Sequence, residues 1–173
     1  MITQSKTVMK WHFFRRFQVD NPHSILIMKI ELYDNPFNPW EELNRHQSEH
    51  NLQGRVGAAC VFVGTMRDFN AGDDVSAMHL EHYPEMTAAY MQKIADEAKK
   101  KWAVEDLLMI HRYGDIYPND TIVLLAAWSA HRDAAFSACR YLIEELKTRA
   151  PFWKKETLLA DNSTRWVQGT TKA

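Results

Sequence analysis

Pro151 dictates where the last long helix of this chain must stop. The preceding stretch, AFSACRYLIEELK, repeats Phe136, Cys139, Ile143 and Leu146 at three- and four-residue steps, the spacing of one helix face. A proline cannot continue that helix, and it pushes Ala150 toward an extended backbone. Around the break, KTRAPFWKKE (Lys147 to Glu156) gathers Lys147, Arg149, Lys154 and Lys155 beside Phe152 and Trp153. Cations are favoured at a helix C-terminus by the backbone dipole, so part of this cluster has a plain structural reason. The two aromatics between the cations have no such reason, and point to the wall of a site rather than a solvated tail.

The rest of the chain reads as alternating strands and helices. ILIMKIELY (25–33) is a strand. A helix follows from Pro39 to Glu49, with Asn38 as N-cap, Pro39 at the first helical position and Glu41 three residues after the cap. VGAACVFVGT (56–65) reads as a buried strand and VSAMHLEHY (75–83) as its hairpin partner, joined through a mobile tip at MRDFNAGDD. Met91, Ile94, Ala95, Ala98 and Trp102 mark a second amphipathic helix from Pro84 to Trp102. Strands are expected at 106–113 and 121–128, then the long helix opened by SAHRDAAF and ending at Lys147. TLLADNSTRWV closes the chain as a short hairpin. This order lacks strict βαβ alternation, which gives an α+β class with a mostly antiparallel sheet in a single domain. That domain spans 28–173. Residues 1–27 read as a poorly ordered extension.

Composition narrows the function. A net charge of -1 and a pI near 6.7 argue against nucleic-acid or polybasic membrane partners, which require a large positive excess. No apolar run reaches the length of a membrane span. Cys60 and Cys139 are the two cysteines, outside any C-x-x-C pair and on apolar periodicities, as expected of core thiols in a reducing, cytoplasmic protein.

Candidate chemistry lies at element ends. Arg67 follows a strand. His131 and Arg132 open the long helix, where free N–H groups and the positive dipole end suit an anion. Lys147 and Lys154 bracket the Pro151 break. Taken singly, each is more simply a solvated surface charge. Spacing sets a further constraint: His131 and Lys147 are separated by roughly 24 Å along one helix. They serve separate sites, or a two-fold dimer brings one end beside the partner's opposite end. His79 and His82 fall on opposite faces of a strand, which disfavours a shared metal; no metal ligand set and no H-E-x-x-H, P-loop, G-x-G-x-x-G or G-x-S-x-G motif is read in the chain. His111 lies within a strand, and Glu81 is a possible structural partner of the basic cluster.

VGTMRDFNAGDDV, LEHYPEMT, WSAHRDAAF and LKTRAPFWKKE together resemble the large, catalytic subunit of molybdopterin synthase, from about Phe37 to Trp166. The resemblance implies an α/β hammerhead-type fold and a homodimer within a heterotetramer. At each end a small ubiquitin-like carrier would insert its C-terminal thiocarboxylate. The implied reaction converts cyclic pyranopterin monophosphate to molybdopterin by installing the two dithiolene sulfurs, with no cofactor. By position, Lys147 and Lys154 match the family's catalytic lysines. Thr65, Met66 and Arg67 match the substrate loop, His131 and Arg132 the anion-binding pair, and Lys155 and Glu156 the continuing substrate-contacting run. Asp68-Phe69 departs from the more polar pair usual after the loop arginine, and Arg140 has no assigned counterpart. A non-catalytic module that binds a ubiquitin-like protein or a phosphorylated ligand would use the same basic, aromatic segment; turnover of the pterin precursor separates the two.

Overall fold

The computed structural model describes residues 28–50, 52 and 54–167, so the expected N-terminal extension lies outside the described residues. Nine strands and three helices are described, ordered β1 (Met28–Tyr33), α1 (Pro39–His50), β2 (Ala58–Thr65), β3 (Phe69–Asn70), β4 (Asp73–His82), α2 (Pro84–Lys101), β5 (Val104–Arg112), β6 (Gly114–Ile116), β7 (Thr121–Ser129), α3 (Arg132–Arg149), β8 (Phe152–Leu158) and β9 (Thr164–Trp166). They form two sheets. The first runs β1-β5-β7-β2, with β1 parallel to β5 and the other pairings antiparallel. The second runs β3-β4-β8-β9 with β6 also on β4, antiparallel throughout.

Strand alternation explains how the first sheet is covered on both faces. Leu107 and Met109 of β5, with Val123, Leu125 and Ala127 of β7, meet Met91 and Ile94 of α2 and Ala138 and Leu142 of α3. The intervening residues, Leu108, Ile110, Leu124, Ala126 and Trp128, turn to the other face against Phe37 and, on α1, Leu43. Two buried faces require side chains of both parities to be apolar, which is why β5 and β7 read as continuous hydrophobic runs. At the start of α1, Asn38 Oδ1 accepts the Trp40 N–H at 3.0 Å and Asn38 Nδ2 donates to Glu41 at 3.1 Å. The expected cap is therefore present.

Two sequence expectations need correction. The 56–65 and 75–83 segments are not a hairpin: β2 pairs with β7, and β4 pairs with β8 in the other sheet. The polar loop between them folds back as the two-residue β3 on β4, because Ala71 and Gly72 both take positive φ and turn the chain tightly. Second, the closing hairpin begins earlier than TLLADNSTRWV, directly after Pro151. Ala150 is extended (φ -72, ψ 131) and the chain enters β8 at Phe152. The terminal hairpin is thus β8–β9, beginning five residues before Thr157. A smaller difference is that β2 is half-buried rather than buried.

Leu142 is fully buried where α3 meets the first sheet. Leu142→Ala is expected to cost about 2–5 kcal/mol by loss of transfer energy plus a residual cavity. Urea unfolding checks this, and a loss under about 1 kcal/mol would mean that the helix repacks freely.

Candidate active site

Site geometry follows from the entry into β8. On a strand, successive side chains alternate, so Lys154 and Glu156 share one face while Trp153 and Lys155 share the other. Lys154 is paired in register with Leu80 and Glu156 with Met78, two residues of a small core that also contains Met66, Val75 and Ile116. Lys154 therefore points to the side of the sheet from which the β2–β3 loop approaches.

Glu156 is 6% exposed and is held by three donors. Asn70 Nδ2 donates at 2.8 Å, and Arg165 Nε and Nη2 each donate at 3.3 Å. Arg165 also reaches Asp73 at 2.5 Å and the Asn70 carbonyl at 3.1 Å. This network ties the β3–β4 turn to β8 and β9, so the loop carrying Arg67 is braced against the strand carrying Lys154. The Arg67 guanidinium lies 4.8 Å from the Phe69 ring centroid, a cation–π contact at the position where the sequence departs from a polar pair.

Lys154 retains accessible surface, yet its ammonium is crowded by protein. That loss of solvation lowers its pKa first, and the nearby charges of Lys147 and Arg67 lower it further; Glu156 opposes them. Lys147 on the last turn of α3 and Arg67 on the loop thus both act electrostatically on Lys154 of β8, so three separate elements meet here. Behind Lys154, the His111 ring stacks on Phe152 with centroids 3.9 Å apart, and its Nδ1 donates to the Arg112 carbonyl at 2.8 Å. Burial pushes the His111 pKa down to about 4, against the backbone hydrogen bond, and the Lys154 and His82 charges add to the fall. His82 packs on Tyr113 and Phe152, and its pKa is also lowered by burial.

The remaining sequence candidates fall elsewhere. Met66 is buried in the small core, with its backbone bonded to Asp120 and Asn119. Thr65 is exposed at the end of β2. Lys155 lies on the opposite face of β8 with its ammonium 5.7 Å from the Trp166 centroid. That face carries an open cleft of about 460 Å³ lined by Glu81, His82, Tyr83, Trp153 and Trp166. His131 and Arg132 stand exposed at the N-terminal end of α3, the far end of the helix from Lys147. Cys60 and Cys139 meet in the main core, and burial first, then Cys60, raises the Cys139 pKa, which disfavours a nucleophilic thiolate there.

Sequence reading passed over one constellation. His46 and His50 on α1 converge with Asp106 of β5. The H-x-x-x-H spacing on a helix was a usable signal, but Asp106 could join it only through the tertiary fold.

Comparison with known proteins identifies the family. Residues 33–149 match the family described as MoaE protein. A molybdopterin synthase catalytic subunit of Pseudomonas aeruginosa is 45% identical over 142 residues, covering 82% of this chain and 91% of that protein. The Vibrio cholerae protein of the same name is 49% identical over 113 residues, 65% of this chain and 74% of that one. Among solved structures, the molybdopterin biosynthesis MoaE protein from Burkholderia ambifaria superposes with a TM-score of 0.68 at 38% identity, covering 84% of this chain and 93% of that one. With a matched segment that includes α1–α3 and the strands between them, this chain belongs to the MoaE protein family.

Proposed function

We propose that this chain is the catalytic subunit of a molybdopterin synthase. It moves sulfur from the C-terminal thiocarboxylate of a small ubiquitin-like carrier to cyclic pyranopterin monophosphate, and the product carries the dithiolene of molybdopterin. The observation that carries this reading is the mutual placement of Lys154, Lys147 and Arg67, where protein crowding lowers the Lys154 pKa. Both reactants are anionic, so fixed cations at the meeting point of three elements hold them together without reorganising. Lys154 is the group suited to give and take a proton or to accept an acyl group transiently, because a lowered pKa leaves more of it neutral near pH 7. Lys147 stabilises the negative charge that develops on the thiocarboxylate. The Glu156 carboxylate, already committed to Arg165 and Asn70, acts by bracing the loop.

The working unit in this reading pairs two copies of the chain, with a carrier at each end. Its support is the length of α3, 18 residues: His131 and Lys147 stand 16 positions apart in the chain, so these groups meet around one substrate when a second copy supplies the first pair. His131 and Arg132 then bind the precursor phosphate by charge-assisted hydrogen bonds. Two unbridged cysteines support a reducing compartment, the cytoplasm; among the described residues no helix is long and apolar enough to cross a membrane.

Conversion of the precursor by purified chain plus thiocarboxylated carrier tests the whole reading, and carrier binding without dithiolene formation would replace it with a docking module. Arg132→Ala is expected to weaken precursor binding by about 1.5–3 kcal/mol, the worth of a charged hydrogen bond. Calorimetry reads this directly, and an unchanged dissociation constant removes Arg132 from the phosphate site.

A further inference from the structure

His46 and His50 are four residues apart on α1 and so share one helix face. Both reach the same carboxylate oxygen: His46 Nε2 lies 2.8 Å and His50 Nδ1 2.7 Å from Asp106 Oδ2. The three ligand-type atoms lie within 4.8 Å of one another, and the side chains are 0%, 5% and 1% exposed. Asp106 is oriented from behind, since its other oxygen accepts the Leu107 N–H at 2.7 Å. The His46 ring is fixed by stacking on Trp128, with centroids 5.0 Å apart. Among the described residues this is the one such convergence of three His, Cys or carboxylate groups.

A buried hydrogen-bonded triad accounts for part of this arrangement but not all of it. Two imidazoles are aimed from one helix face at a single carboxylate oxygen, an arrangement that an ion shared by the three groups explains; the other nitrogen of the His46 ring, Nδ1, is buried without a partner. We propose that His46, His50 and Asp106 form a binding site for a divalent transition ion of the Zn²⁺ class, clamping α1 to β5. Two imidazoles and a carboxylate are a donor set that Zn²⁺ and its neighbours take, with a fourth position left for water. Ligand atoms around a tetrahedral ion stand about 3.3 Å apart, so each N···O contact opens by about 0.5 Å to admit it. The proton on each coordinating nitrogen moves to the other nitrogen of its ring, which leaves both imidazoles neutral. For His46 that nitrogen lacks a partner in either tautomer, so the exchange adds no new buried orphan. Of the neighbouring cations, Lys29 is paired with Glu31 and Glu42. Lys99 of α2 interacts electrostatically with Asp106 and Asp96, so two carboxylates offset its charge.

The site lies on the α1 face of the first sheet, whereas Lys154 stands on the second, so the proposal is independent of the sulfur-transfer reading. Full-length protein stripped with chelator is titrated with Zn²⁺ by calorimetry and with Co²⁺ by visible absorption. One ion per chain is expected, with a tetrahedral-type Co²⁺ band and a melting temperature that rises with Zn²⁺. His50→Gln and Asp106→Asn, confirmed as folded by circular dichroism, should each weaken binding by at least about tenfold, while His79→Ala should match the parent chain. Absence of saturable binding by the unaltered protein overturns the proposal. So does binding that survives His50→Gln unchanged.

Discussion

Lys154→Ala is expected to slow dithiolene formation by about two to three orders of magnitude, the usual cost of deleting one preorganised group that stabilises charge in a transition state. The position of Lys154 is the reason. It is one of three cations brought together from a helix end, a loop and a strand, and its pKa is lowered first by lost solvation of the ammonium and then by the other two. Removing it leaves Lys147 and Arg67 to hold the reactants, so precursor and carrier binding should change much less than the rate. Single-turnover conversion with preformed thiocarboxylated carrier separates these effects. Lys154→Arg sharpens the assignment: arginine keeps the charge but does not deprotonate. If Lys154→Arg restores most of the rate, the role is electrostatic; if it is as slow as alanine, the neutral amine is required. A folded Lys154→Ala protein that converts precursor within about threefold of the parent rate would take Lys154 out of the chemistry.

The contrast between Lys147 and Lys154 shows what sequence alone can and cannot rank. Pro151 and the helix periodicity before it locate Lys147 on a final helical turn, where a rigid support makes it the first choice. The preference for Lys154 depends on packing that no local pattern encodes. Entry into β8 directly after the proline, the pairing of Leu80 with Lys154, and the return of the Arg67 loop through β3 are all long-range events. Helices were legible because caps and periodicity are local: Asn38 and Pro39 mark the start of α1 and Pro84 that of α2. Pairing partners were harder to read. The β2 and β4 segments are adjacent in sequence and separated by turn residues, which favours a hairpin, yet β2 pairs with the longer, apolar β7 and β4 with β8 in the other sheet. The same limit hid the His46–His50–Asp106 convergence, whose third member is distant in sequence and comes from a strand.

Stability is expected to rise steeply between about pH 4 and pH 6.5, owing chiefly to histidines that the fold keeps neutral. His111 has a folded pKa near 4 because it is packed against Phe152 with Lys154 and His82 nearby, whereas in the unfolded chain it titrates near 6.5. Through that window the unfolded chain binds the proton that the folded one refuses, so acid favours unfolding. The stabilisation is complete above about pH 6.5 and is lost as pH falls toward 4. For His111 alone this amounts to about 3–4 kcal/mol, with a slope of up to about 1.4 kcal/mol per pH unit. His46 and His82 shift in the same direction through burial and steepen the curve. Carboxylates contribute lower down: the Glu97 pKa is held to about 2 by hydrogen bonds from Arg149 and Tyr141, and it stays ionised through this window in the folded chain. Urea unfolding at intervals from pH 7.5 to 4.5 measures the slope, and His111→Phe, which keeps the stack on Phe152 but cannot titrate, should reduce it by about one proton. A His111→Phe slope equal to that of the parent chain would mean that His111 accepts its proton in the folded state, and that the Phe152 stack beneath Lys154 does not exclude charge.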